Sequence, residues 1–179
     1  MTDDFGLSVG SNVPNVAGEL VTPDGGVETV AIGDLLADGP VLLCFYTADF
    51  SPDCIEQWCA FRDFDWFASG DAVQVVGASK SGPGLHRRFM DRLDLTFPIF
   101  SDTDLAIADA FDVVYRVLGL AKRSRRSCFL IDPEMTVRYR WLSQHWLDPT
   151  RDVPPVGEIY EAVRERIDTD EPDDFGFGG

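Results

Sequence analysis

Two of the four cysteines in this chain stand five residues apart, in the run Ser51-Pro52-Asp53-Cys54-Ile55-Glu56-Gln57-Trp58-Cys59. Pro52 suits the first turn of a helix, where its missing N–H would be unpaired anyway, and Ser51 or Asp53 can cap. Cys54 then falls in that first turn, close to the free backbone N–H groups and the positive end of the helix dipole. Such a setting favours the thiolate, the reactive form of the side chain. Cys59 lies on the same predicted helix, and a second thiol nearby can trap the first once it is oxidised. The helical rise alone sets the two Cα atoms about 7.5 Å apart, whereas a disulfide needs Cα atoms within about 7 Å. If the two thiols react, the first turn must unwind, which couples oxidation to local unfolding.

The other chemistry-bearing residues offer weaker patterns. Cys44 and Cys128 sit in apolar strand-length runs and read as core residues. His86 and His145 lack ligand-spaced partners, so no metal site is expected. No glycine-rich phosphate loop follows a strand, no Ser-His-acid arrangement is present, and the four tryptophans read as packing residues. Arg116, Lys122, Arg123, Arg125 and Arg126 lie in an acid-free stretch over residues 113–131. That island is either a positive field at the mouth of the site, suited to an acidic reductant, or a solvated loop.

The elements that must position Cys54 are legible around it. Val41-Leu42-Leu43-Cys44-Phe45-Tyr46 is a continuous apolar run, as expected of a strand buried on both faces. A helix over about residues 52–67 follows, then a second buried strand over residues 72–78. Upstream, Leu20-Val21-Thr22 and residues 27–30 flank the turn Pro23-Asp24-Gly25-Gly26 as a hairpin. A short helical turn at residues 32–36 stops at Asp38-Gly39-Pro40. Downstream come a helix from residue 85 to about 93, a short extended segment at residues 95–100 and a helix at residues 104–111. Ser101 or Asp102 could cap the last of these. Residues 127–131 and 136–142 read as an antiparallel pair, and residues 156–167 as a closing amphipathic helix. Alternating strands and helices ending in an antiparallel pair indicate an α/β sandwich with a mixed sheet. One domain over residues 1–167 is expected, followed by an acidic, Gly-rich, disordered tail at residues 168–179.

Charge narrows the partners. The chain has 31 acids against 15 bases, a formal net charge of −16, and its only lysines are Lys80 and Lys122. An Asp-rich, Lys-poor surface stays hydrated in concentrated salt, and the composition resembles that of proteins from salt-loving archaea; an acidic mesophile protein is the alternative. Nucleic acid and anionic membranes are disfavoured as partners. No apolar run reaches the roughly 20 residues that span a bilayer, and the first residues lack the basic start and apolar core of a signal peptide. A cytoplasmic location is expected, where standing disulfides are uncommon.

The segments Phe45-Tyr46-Thr47, Ser51-Pro52-Asp53-Cys54 and Cys59-Ala60-Phe61-Arg62-Asp63 together resemble a peroxiredoxin, nearest the bacterioferritin-comigratory-protein or PrxQ branch of the AhpC/TSA superfamily. Gly77-Ala78-Ser79, His86-Arg87-Arg88-Phe89, Phe97-Pro98-Ile99-Phe100-Ser101-Asp102 and Phe129-Leu130-Ile131-Asp132 fall where that family has similar segments. The resemblance covers roughly residues 13–167. It implies a thioredoxin-like fold and a thiol-dependent peroxidase acting on hydrogen peroxide or organic hydroperoxides, with no cofactor. It makes Cys54 the peroxidatic nucleophile, Cys59 the resolving thiol, Ser51 the hydroxyl that bonds thiolate and peroxide, and Arg126 the arginine that polarises the peroxide. It further implies a thioredoxin- or glutaredoxin-like protein reductant and a monomer or homodimer. One departure stands out. The family motif has a proline seven residues before the nucleophile, and this chain has Thr47, which either supplies another hydroxyl or loosens the pocket. Two other readings are a thiol–disulfide oxidoreductase, which usually carries Cys-x-x-Cys, and a redox sensor or adaptor with weakened catalysis.

Overall fold

The computed structural model describes residues 6–47, 49–50, 52–69, 72–117, 119, 121–143 and 154–168. Its centre is strand β3 (Val41–Phe45), the apolar run before the cysteine segment, and all five of its residues are buried. Side chains alternate across a strand, so a run apolar at every position needs cover on both faces. Both faces are covered. Leu42, Cys44 and Tyr46 pack in one cluster with Trp58, Phe61, Phe89, Ile159 and Val163. Val41, Leu43 and Phe45 pack in the other with Leu35, Phe100, Ile107 and Phe111.

Around β3 lies a seven-stranded mixed sheet in the order β2-β1-β5-β4-β3-β8-β9. Strands β1 (Ala17–Val21) and β2 (Val27–Ala31) form the N-terminal hairpin, in register Ala17↔Ala31 to Val21↔Val27. Its turn uses Gly25 at φ 87° and closes with Thr22 N–H donating to Gly26 O at 2.9 Å. Strand β4 (Gln74–Ser79) runs parallel to β3, and β5 (Ile99–Ser101) parallel to β4. Strand β8 (Ser127–Ile131) runs antiparallel to β3, and β9 (Val137–Leu142) antiparallel to β8 completes the sheet. One face carries α2 (Pro52–Asp63), α3 (Asp65–Ser69), α4 (Pro83–Leu93) and α6 (Val156–Asp168); the other carries α1 (Ile32–Leu35) and α5 (Ala106–Ala110). This is the expected mixed sheet flanked by helices.

Three details differ from the sequence expectation. The long helix after β3 is interrupted at Phe64, whose ring packs against Phe67 and Tyr160 at 5.5 and 5.0 Å. Turning the chain there gathers these rings under α6. Helix α4 begins at Pro83, two residues early, because Pro is favoured at a helix start. Residues 114–124 are not a loop: β6 (Val114–Val117) and β7 (Ala121–Ser124) form a separate antiparallel hairpin. Its side chains are polar enough to hide the alternation, and its sign is Gly119 at φ 72° in a three-residue connection. Leu105, not Ser101 or Asp102, is the N-cap of α5, but the Asp102 carboxylate still accepts from Ile107 N–H and Ala108 N–H at 2.9 Å each. The tail at residues 169–179, His145 and Trp146 lie outside the described residues.

Candidate active site

Helix α2 begins at Pro52, so Cys54 is in its first turn, above the C-terminal end of β3. The Cys54 side chain is fully buried and its thiol is free. Gln57, one helical turn on, presents its amide on the same side as Cys54, as the i, i+3 spacing requires. Both meet Arg126, which precedes β8. The Arg126 guanidinium donates from Nη2 to Cys54 Sγ at 3.2 Å and from Nη1 to Gln57 Oε1 at 2.9 Å. Only 1% of Arg126 is exposed, and burying a cation is costly unless it is paired. Of these two partners, one is a neutral amide and the other can ionise. The arrangement sets a fixed guanidinium against the sulfur, where it can also stabilise charge developing on an oxygen bound there.

Buried Gln57 Nε2 and Arg126 Nε have no hydrogen-bond partner among the described residues, and neither has buried Thr47 Oγ1 beyond the end of β3. Thr47 stands just past β3, where the resemblance leads one to expect a proline, and its unpartnered hydroxyl is free to meet a polar ligand. Ser51, expected to contribute a hydroxyl, lies outside the described residues. Cys59 is half-buried and free, on the intact helix that also bears Cys54. The five-residue spacing holds the two thiols apart on different faces while α2 persists. The basic island divides: Arg126 enters the core, Arg125 donates to Ser143 O, and Arg116 and Lys122 are exposed partners on the β6–β7 hairpin.

Sequence reasoning missed a second cluster beside Cys54. Asp49, in the loop before α2, accepts from the Tyr46 hydroxyl at 2.6 Å and lies 2.6 Å from His86 Nδ1 on α4. The Asp49 and His86 side chains are fully buried. Burial, then the Asp49 charge, pushes the Tyr46 phenol well above its usual range, so the phenol stays a donor. Asp49 N–H also donates to Ser81 Oγ at 3.3 Å. The cluster pins the loop that leads into Cys54 to the start of α4. The only sequence sign was a histidine on an apolar helix face, with its partner 37 positions earlier. At the other end of β3 and β4, a cleft lined by Pro40, Phe67, Val73, Phe97 and Pro98 has no connection to this chemistry.

A helix-start thiol over a mixed sheet of this order is the architecture of the thioredoxin-like proteins. Residues 9–140 match the AhpC/TSA family, and the chain belongs to that family. It is 32% identical over 139 residues to "Peroxiredoxin Bcp" of Bacillus subtilis, covering 75% of this chain and 85% of the relative. It is 30% identical over 138 residues to "Putative peroxiredoxin bcp" of Coxiella burnetii, covering 75% and 88%. Among solved structures it resembles "Peroxidoxin BcpB" from Mycobacterium tuberculosis, with a TM-score of 0.71 and 27% identity over 89% of this chain and 97% of that one. No described helix is long and apolar enough to cross a membrane.

Proposed function

We propose that this chain is a thiol-dependent peroxidase in which Cys54 is the nucleophile and Cys59 the resolving thiol. The observation that carries the reading is the contact between buried Arg126 and Cys54 Sγ at 3.2 Å. The Cys54 thiolate attacks one oxygen of a hydroperoxide, forming an S–O bond as the O–O bond breaks. The leaving oxygen takes a proton and departs as water or an alcohol. The Arg126 guanidinium stabilises the charge that develops on that oxygen, and Gln57 Oε1 keeps it aimed. Thr47 and Ser51 supply hydroxyls to the peroxide. Opening of the first turn of α2 then lets Cys59 attack the sulfenic acid, forming the disulfide and releasing water. A thioredoxin- or glutaredoxin-like protein restores both thiols. The domain expected over residues 1–167 extends to Asp168, the last residue of α6, and acts as monomer or homodimer, with residues 169–179 as a tail.

Peroxide consumption with a thioredoxin system tests this directly. Cys54→Ser should abolish turnover, and Arg126→Ala should lower it roughly 10²–10³-fold, the usual loss when one preorganised donor is removed. In Cys59→Ser the first oxidation should proceed while turnover with the reductant fails. Equal rates for wild type and Cys54→Ser would overturn the assignment. Intact-mass measurement after one peroxide equivalent should show the loss of two hydrogens from wild type. A lasting oxygen adduct on Cys54 would instead exclude Cys59 as resolver.

A further inference from the structure

The two cysteines with no part in that cycle face each other across the sheet. Cys44 on β3 is the register partner of Cys128 on β8. Opposed residues on antiparallel strands point to the same face, and both belong to the cluster packed beneath α2. The type of pairing follows from the neighbouring hydrogen bonds. Tyr46 N–H donates to Ala78 O on β4, so Tyr46, and with it Cys44 two residues earlier, turns its backbone groups toward β4. Ser143 N–H donates to Arg126 O, so Arg126, and with it Cys128, turns toward β9. Neither cysteine directs its backbone into the β3–β8 ladder. Cys44↔Cys128 is thus a non-hydrogen-bonded pair, the type with Cα atoms about 4.5 Å apart. A disulfide spans Cα separations of about 4.4–6.8 Å.

We infer that Cys44 and Cys128 form a second redox centre, a dithiol that closes to a cross-strand disulfide under sustained hydrogen peroxide while α2 stays folded. The chemistry balances with hydrogen peroxide as the only oxidant. One thiol attacks it to give a sulfenic acid and water. The opposed thiol then attacks that sulfur, forming the S–S bond and releasing a second water. Two thiols are oxidised by two electrons, and one peroxide is reduced. Both residues are fully buried, and burial, then the contact with Cys128, pushes the Cys44 thiol well up. Little Cys44 thiolate is available and neither thiol is open to solvent, so the bond forms more slowly than turnover at Cys54. It accumulates when peroxide outlasts the reductant. Once formed, it ties the strand ending in Tyr46 to the strand that follows Arg126, and so braces the frame on which Cys54 and Arg126 meet.

The Cys54→Ser/Cys59→Ser variant retains only these two thiols and isolates the proposal from the peroxidase reading. With excess hydrogen peroxide it should lose two hydrogens by intact mass, recover them with dithiothreitol, and yield a linked pair of peptides containing Cys44 and Cys128. The oxidised form should melt several degrees above the reduced form. Adding Cys128→Ala should remove both effects. Two thiols that still alkylate fully after denaturation would overturn the inference, as would an oxygen adduct on one cysteine or a disulfide between two chains. If that variant does not fold, peptide mapping of peroxide-treated wild type decides: a Cys44–Cys128 link supports the inference, and its absence overturns it.

Discussion

Arg126 and Asp49 both bear on the start of α2. Arg126 holds the sulfur of Cys54 and the amide of Gln57, whereas Asp49 holds Tyr46 and His86. The first contact bears on chemistry. The second bears on where the loop before α2 sits, because Asp49 is five residues ahead of Cys54 and tied to α4. Leaving a buried polar group without its partner costs roughly 1–3 kcal/mol. Asp49→Ala strands the Tyr46 hydroxyl and the His86 ring nitrogen in the core. It should lower stability by about that amount, read as a fall in the urea midpoint at unchanged slope. A midpoint within error of wild type would show that the pair contributes nothing to the fold.

At the scale of elements, α2 is positioned by what lies beneath it. Trp58 is fully buried and packs edge-on to Tyr46 at 5.5 Å and against Phe97 at 5.8 Å. It reaches so close to β4 that a Cβ at Gly77 would lie 2.7 Å from Trp58 Cζ2. Gly77 is needed for close approach rather than for its backbone angles. Gly77→Ala should push Trp58, and the helix with it, off the sheet. Overpacking of this kind costs typically about 1–3 kcal/mol. Because Cys54 rides on the same helix, the peroxide reaction should slow in this variant although no reacting group has changed. Chemical denaturation and single-turnover oxidation check the two halves of that expectation.

The whole molecule carries a net charge of −16, while its only described fully buried arginine is Arg126. Among the described acids only Asp49, Asp102 and Asp132 are buried, and the rest are half-buried or exposed, where like charges repel and salt screens them. Raising sodium chloride from about 0.01 M to about 1 M shortens the screening length from about 30 Å to about 3 Å. The melting temperature should rise over that range, and a flat or falling trend would show that surface repulsion does not limit stability.

The sequence alone determined the chemistry and most of the elements that position it. A proline and a cysteine at a helix start, and an apolar run with no polar alternation, are local patterns set by backbone geometry and by burial on both faces. The family pattern added Arg126, which no local rule would have singled out from its basic neighbours. Only the tertiary structure decided which of those cations is buried, that Gln57 aims it, and that Asp49, Tyr46 and His86 meet. These contacts join positions far apart in the chain, and nothing in the local pattern of either partner announces the other. The opposition of Cys44 and Cys128 is of the same kind. Each read as a core residue by itself, and it took the register of β3 against β8 to make them a pair.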